Sequence, residues 1–163
     1  MELWDAYDIN FNKIDGITLT RGSKIPEGLF HLVCNIVVKH IDGTYLLMKR
    51  DLNKHLGGYW QLTAGGSAIK GESSLECGIR ELFEETGIKV TNLCEVGRDV
   101  NHQRHNIYVE YYVEVDVDKN SVTLQEGETI DFKWVSKEEL KTIYKTQLCT
   151  TRPFNFIKDL MEY

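Results

Sequence analysis

A chain of 163 residues, 42% hydrophobic and 27% charged, has the size and balance of one ordinary globular domain with a sizeable core. Its net charge of −6 disfavours non-specific binding to nucleic acid, so a polyphosphate ligand would be met by a metal ion and a few local cations. No apolar stretch approaches the roughly 18 residues of a membrane span, and the N-terminus MELWDAYDIN has neither the basic region nor the apolar run of a signal peptide.

Taken in order, residues 1–28 precede the core. Glu2 to Asp8 alternates loosely, as an edge strand does; Asn10 to Gly16 is turn-rich, and Ile17 to Thr20 can pair back to close an N-terminal hairpin. Leu32 to Val38 is almost continuously apolar and β-branched, which predicts a buried strand. Asp42-Gly43 is a hairpin turn signal, and Thr44 to Met48 returns as a second strand ending in Lys49-Arg50-Asp51. Residues 51–58 form a loop, and Tyr59 to Thr63 a short strand leading into glycines. Gly65, Gly66 and Gly71 predict a flexible, tightly turning loop in which a backbone carbonyl can come close to a metal.

A well-bounded helix follows. Ser73 is an N-cap with Glu76 three residues on, the capping-box spacing, and Gly87 stands where a left-handed C-terminal residue is wanted. Leu75, Ile79, Leu82, Phe83 and Thr86 make a buried stripe, while Glu81, Glu84 and Glu85 at i, i+3 and i+4 make an acidic one. Like charges at i,i+4 cost a few tenths of a kcal/mol, and Glu84 and Glu85 lie near the end where the helix dipole repels anions. Arg80 can pair with Glu84 but does not neutralise three carboxylates. A hard divalent cation would supply the missing charge, and Mg²⁺ typically takes a few carboxylates together with phosphate oxygens of a substrate. The competing reading is a solvated acidic face.

After the helix, Ile88 to Val90 and Leu93 to Val96 read as strand. His105 to Asp116 alternates, with Ile107, Val109, Tyr111 and Val113 on one face. Asp118 to Glu128 is a polar connection, Thr129 to Val135 another strand, and Ser136 with Glu139 offers a second capping box for a helix to Tyr144. Thr151 or Arg152, with Pro153 in the first turn, can start a last helix to Met161. Strands alternating with about three helices predict α/β packing around a mixed sheet. The four cysteines, Cys34, Cys77, Cys94 and Cys149, show no paired spacing and read as reduced thiols of a cytoplasmic protein.

The stretch from Gly66 through Glu72 to Arg80-Glu81-Leu82-Phe83-Glu84-Glu85-Thr86-Gly87-Ile88 resembles the Nudix box, G-x5-E-x7-R-E-U-x-E-E-x-G-U, at every specified position. The resemblance implies a Nudix-type α/β/α sandwich over residues 29–160 of a single domain, with residues 1–28 as an N-terminal β-hairpin extension. It implies hydrolysis of a diphosphate linkage in a nucleoside diphosphate derivative or a related small phosphorylated metabolite, with Mg²⁺ or Mn²⁺ as cofactor. Glu81, Glu84 and Glu85 correspond to the metal-binding positions, and Gly65 can add its carbonyl. Glu81 can instead act as general base, Arg80 orients a glutamate, and Glu72 is either an outer partner of the metal or a stabiliser of the loop.

The base in this family is a box glutamate or a carboxylate nearer the C-terminus. Here Glu126, Glu128 and Asp131 occupy such a segment, with Glu128 preferred. Arg50, at a strand end, is a candidate phosphate contact. His55, His102 and His105 read as polar surface first, and Tyr59 and Trp60 as core first and base-stacking second. Homodimers are common in the family. Two rivals share the fold. An isopentenyl-diphosphate isomerase would carry a catalytic cysteine and a histidine where this chain has Thr63 to Ala68, and both are absent. A non-catalytic ligand-sensing domain is the other, and the intact box argues against it.

Overall fold

The computed structural model describes residues 1–162. Its elements run β1 (Leu3–Tyr7), β2 (Lys13–Thr20), β3 (His31–His40), β4 (Tyr45–Arg50), β5 (Trp60–Gln61), β6 (Thr63–Ser67) and α1 (Ser74–Thr86). Then come β7 (Cys94–Asn101), β8 (Asn106–Val115), β9 (Thr129–Val135), α2 (Lys137–Ile143) and α3 (Arg152–Ile157), with short 3-10 turns at Lys119–Ser121 and Lys158–Glu162.

The mixed sheet is organised on β3. β8 lies parallel to it, from His31 opposite Asn106 to His40 opposite Val115, and β7 continues antiparallel beyond β8. On the other side β3 pairs antiparallel with β6 and, at Lys39, with β4, which in turn carries β5 and β9. A strand between neighbours, with helices over both faces, has no wet side, which is why β3 is apolar almost throughout.

The two-residue period of the strands sorts side chains into two cores. Leu32, Cys34, Ile36 and Val38 of β3 join Leu46, Met48, Ile107, Val109 and Tyr111 beneath α1, which contributes Cys77 and Leu82. Val37, Tyr45, Leu47, Leu62 and Val135 face the other way and meet Leu140 and Ile143 of α2 and Phe154 and Ile157 of α3. The result is an α/β/α sandwich, as the alternation of elements predicts. Gly78 lets α1 settle on the sheet: an added Cβ would lie 2.7 Å from Leu93 and 3.4 Å from Tyr111.

β1 and β2 form a separate antiparallel hairpin. Reciprocal 2.9 Å backbone bonds between Tyr7 and Phe30 tie it to the start of β3, and Trp4, Ala6 and Leu19 form its small core. No helix among the described residues is long and apolar enough to cross a membrane.

Several local expectations are corrected. Ile88–Val90 is not strand: the Ile88 N–H goes to Thr86 Oγ1 at 3.1 Å, and the next ladder starts at Cys94. Tyr59–Thr63 divides between β5 and β6. Gly65 and Gly66 lie in β6, paired with Asn35 and Cys34, and not in a flexible loop. Phe83 is 47% exposed beneath the Lys89 ammonium instead of in the buried stripe. Ser136 caps α2 through the Glu139 N–H, but the Glu139 carboxylate pairs with Lys133 at 3.6 Å and does not close a box.

Candidate active site

Helix α1 leaves the loop after β6 with both halves of its capping box made. Ser73 Oγ accepts the Glu76 N–H, and Glu76 accepts the Ser73 N–H at 2.8 Å. Gly87, at φ 75°, closes the other end in the left-handed conformation with its N–H on the Phe83 carbonyl. Between these ends the three predicted acids do not share one environment. The Glu84 side chain is 41% exposed and that of Glu81 13%, while Glu85 is only 4% exposed. The acidic stripe therefore runs down from solvent into the seam between α1 and β6.

Glycines in β6 make that seam. A Cβ at Gly65 would run into the carbonyl oxygen of Cys34, and one at Gly66 would stand 2.6 Å from the carboxyl carbon of Glu81. Glu81 thus lies against bare backbone. Glu85 accepts one long bond, 3.3 Å, from the Gly65 N–H. Burial, reinforced by the charge of Glu81, pushes the Glu85 carboxyl up to about 8, against the pull of that N–H and of Lys54 and Arg50. Burial also raises Glu81, opposed by Arg80.

Arg80 is the hub of the outer acids. Its Nε and Nη2 donate to the two oxygens of Glu72 at 2.7 and 2.9 Å, and Nη1 donates to Glu81 at 2.7 Å and Glu84 at 3.1 Å. Nη2 also reaches the Ser67 carbonyl at 3.1 Å. Arg80 does engage three carboxylates, but the third is Glu72 and not Glu85. Glu72 further accepts the Ile69 N–H at 3.1 Å, so it orders the loop while it holds the arginine.

A polar cleft of about 260 Å³ opens over these groups. Gly65, Arg80, Glu81, Glu84 and Glu85 form one side, and Glu128, from the residue before β9, lines it from another element. Lys54 of the 51–58 loop also lines it and is ion-paired with Glu128; burial, then the nearby Arg50 charge, lowers the Lys54 ammonium. Sequence reasoning missed Lys54, because its role rests on a contact across 74 positions that no local pattern announces.

The other candidates lie elsewhere. Arg50 is not in the cleft wall: Nε donates to the His55 carbonyl and Nη1 to Gln61 Oε1, both at 2.9 Å. Its charge still reaches Glu85. His102 and His105 pack on Phe30, with His105 Nδ1 3.0 Å from the Leu29 carbonyl. Tyr59 is 46% exposed, not core, while Trp60 is half-buried beneath the Lys49 and Lys133 ammoniums. Glu126 and Asp131 do not line the cleft.

The side chains on this wall of the cleft that could ligate a cation offer oxygen only: the carboxylates of Glu81, Glu84 and Glu85. That chemistry suits a hard divalent cation. In the present arrangement Glu81 and Glu84 turn to Arg80, and no three ligating side chains converge among the described residues.

The family model of the NUDIX domain matches residues 29–154. The chain belongs to the Nudix family. An uncharacterized Nudix hydrolase of Listeria monocytogenes is 34% identical over 144 residues, 88% of this chain and 85% of the relative. Among solved structures, a Deinococcus radiodurans protein superposes with a TM-score of 0.74 at 15% identity, covering 96% of this chain and 98% of its own. The NUDIX domain of Shewanella oneidensis NrtR, crystallised with ADP ribose, superposes with a TM-score of 0.65 at 17% identity over 88% of this chain and 92% of its own. These likenesses bear out the Nudix fold, and the family match with its hydrolase relatives makes the chain a Nudix pyrophosphohydrolase. The family model starts at residue 29, so the hairpin of residues 1–28 lies outside it.

Proposed function

We propose that this Nudix enzyme hydrolyses the diphosphate linkage of a small phosphorylated metabolite with the help of Mg²⁺ or Mn²⁺. The observation that carries the reading is Glu85: a carboxyl buried beside a second one, with a single long hydrogen bond to hold its charge. Glu81, Glu84, Glu85 and the Gly65 carbonyl would hold the cation. When bound, it supplies neutralisation of the diphosphate and a more acidic water.

The chain's own residues supply the rest. Arg80 positions Glu81 and Glu84, and Glu72 positions Arg80 from behind through two parallel bonds. Glu128, fixed by Lys54, is the general base that accepts the proton of the attacking water. Lys54 and Arg50 add positive potential beside the cleft, and with its donors on His55 and Gln61 Arg50 acts through its field more than by touching phosphate. The isomerase reading loses ground because β6 carries Thr63 to Ser67 without a cysteine or histidine.

The test is Glu85→Gln. We expect kcat to fall on the order of a thousandfold, the loss of about 4 kcal/mol of charge stabilisation. We also expect Mn²⁺ binding, read by electron paramagnetic resonance, to weaken, and the melting temperature in metal-free buffer to hold or rise, since an amide has no ionised form for folding to take out of water. Turnover and Mn²⁺ binding at the wild-type level would overturn the assignment.

A further inference from the structure

The family model leaves out the hairpin, yet the hairpin builds part of the cleft: Glu2 and Arg21, at its two ends, line it together with the α1 acids. Both are held in place. The Arg21 N–H donates to the Glu2 carbonyl at 3.0 Å, and Arg21 Nη1 to Glu2 Oε2 at 3.1 Å. The other Glu2 oxygen accepts Trp4 Nε1–H at 2.7 Å. Trp4 is buried and stacked on His31 of β3, with ring centroids 4.0 Å apart and planes 10° from parallel. Glu2 is thus anchored from the buried side, and Arg21 through Glu2.

Three cations line the cleft, and two are committed. Arg80 serves Glu72, Glu81 and Glu84, and Lys54 is paired with Glu128. Arg21 has a side chain 63% exposed and spends only Nη1 on Glu2. Its remaining guanidinium donors, of the five such a group carries, have no partner among the described residues. Arg21 enters the cleft from the end of β2, on the wall that the family model leaves out, whereas the acids stand on α1. The wall around it is polar, with Ile69 as its one apolar side chain among the described lining residues.

We infer that Arg21 is a specificity-determining residue that binds an anionic group, phosphate or carboxylate, carried by the substrate beyond the scissile diphosphate. The substrate class is then a diphosphate whose organic part bears a second anion. A guanidinium suits that task because its planar fork matches either oxyanion with two parallel bonds. The inference rests on the reading of the cleft as a diphosphate site.

The experiment is calorimetric titration in Mg²⁺ with three non-hydrolysable methylenediphosphonate monoesters, bearing a propyl, a 3-carboxypropyl or a 3-phosphopropyl tail. The wild-type protein should bind one of the anionic esters about tenfold to a hundredfold more tightly than the propyl ester, the span of a hydrogen-bonded charge pair. Which anionic ester gains identifies the group. Arg21→Ala should bring the ratio of Kd values close to one, and Arg21→Lys should keep part of it. A merely structural role would weaken all three esters together and leave the ratio unchanged. A wild-type protein without preference, or a preference that survives Arg21→Ala, overturns the inference while the diphosphate reading stands. Failure of all three esters to bind wild-type protein overturns both.

Discussion

Gly66 shows how one missing atom shapes the site. The Glu81 carboxylate occupies the space a Cβ would need, 2.6 Å away, so Gly66→Ala must push a charged group that Arg80 holds on its other side. We expect this variant to keep its far-UV circular dichroism and to lose about tenfold to a hundredfold in kcat, as misplacement near 1 Å does. Activity at the wild-type level would mean that the position of Glu81 is immaterial. At this scale the box motif places the acids on one helix face and does not tell how each is solvated. Glu84 and Glu85 are sequence neighbours about 100° apart on the helix, and only the path of β6 decides that one is wet and the other buried. Phe83 makes the same point in reverse: its spacing fits the apolar stripe, yet its side chain stays half exposed under Lys89 while Leu82 and Thr86 on either side of it are buried.

At the scale of elements, α1 is anchored by groups close in sequence, and these were legible. Ser73, Glu76 and Gly87 cap it as their spacing predicts, because capping is settled within four residues. Ser73→Ala should cost about 1 kcal/mol, which for a chain of this length lowers the melting temperature by roughly 3 °C. A calorimetric scan showing no shift would remove the box from the stability of the helix. The second box failed for a non-local reason: Lys133 of β9 takes the Glu139 carboxylate that the Ser136 N–H would otherwise hold. The glycines of β6 failed for another. Gly65 and Gly66 look like a turn by composition, but β3 offers them a ladder, and their lack of side chains serves close approach and not flexibility.

Across the whole molecule, the seam between hairpin and sandwich carries a pH signature. His31 is buried against Trp4, with Ser67 Oγ 3.3 Å from Nε2 and, among the described residues, no partner for Nδ1. Burial pushes its pKa from the ordinary 6.5 down to about 4. An imidazole held neutral in the fold but protonated in the unfolded chain contributes its full stability above pH 6.5, and loses it as pH falls from there to 4. The loss is on the order of 3 kcal/mol. His31→Phe, which keeps a ring on Trp4, should flatten that part of the acid limb in urea melts taken between pH 4 and 6.5. A limb as steep as that of the wild type would place the source elsewhere.

The amino-acid sequence by itself determined the strands with clear period, the capped helix, the N-terminal hairpin and which acids stand at the box positions, since each depends on residues a few positions apart. Tertiary structure alone decided that Glu85 lies buried, that Glu72 anchors Arg80, that Lys54 meets Glu128, and that Arg21 reaches the same cleft. Those facts rest on chain segments brought together from far apart, and no local spacing encodes which charges will meet across one cleft.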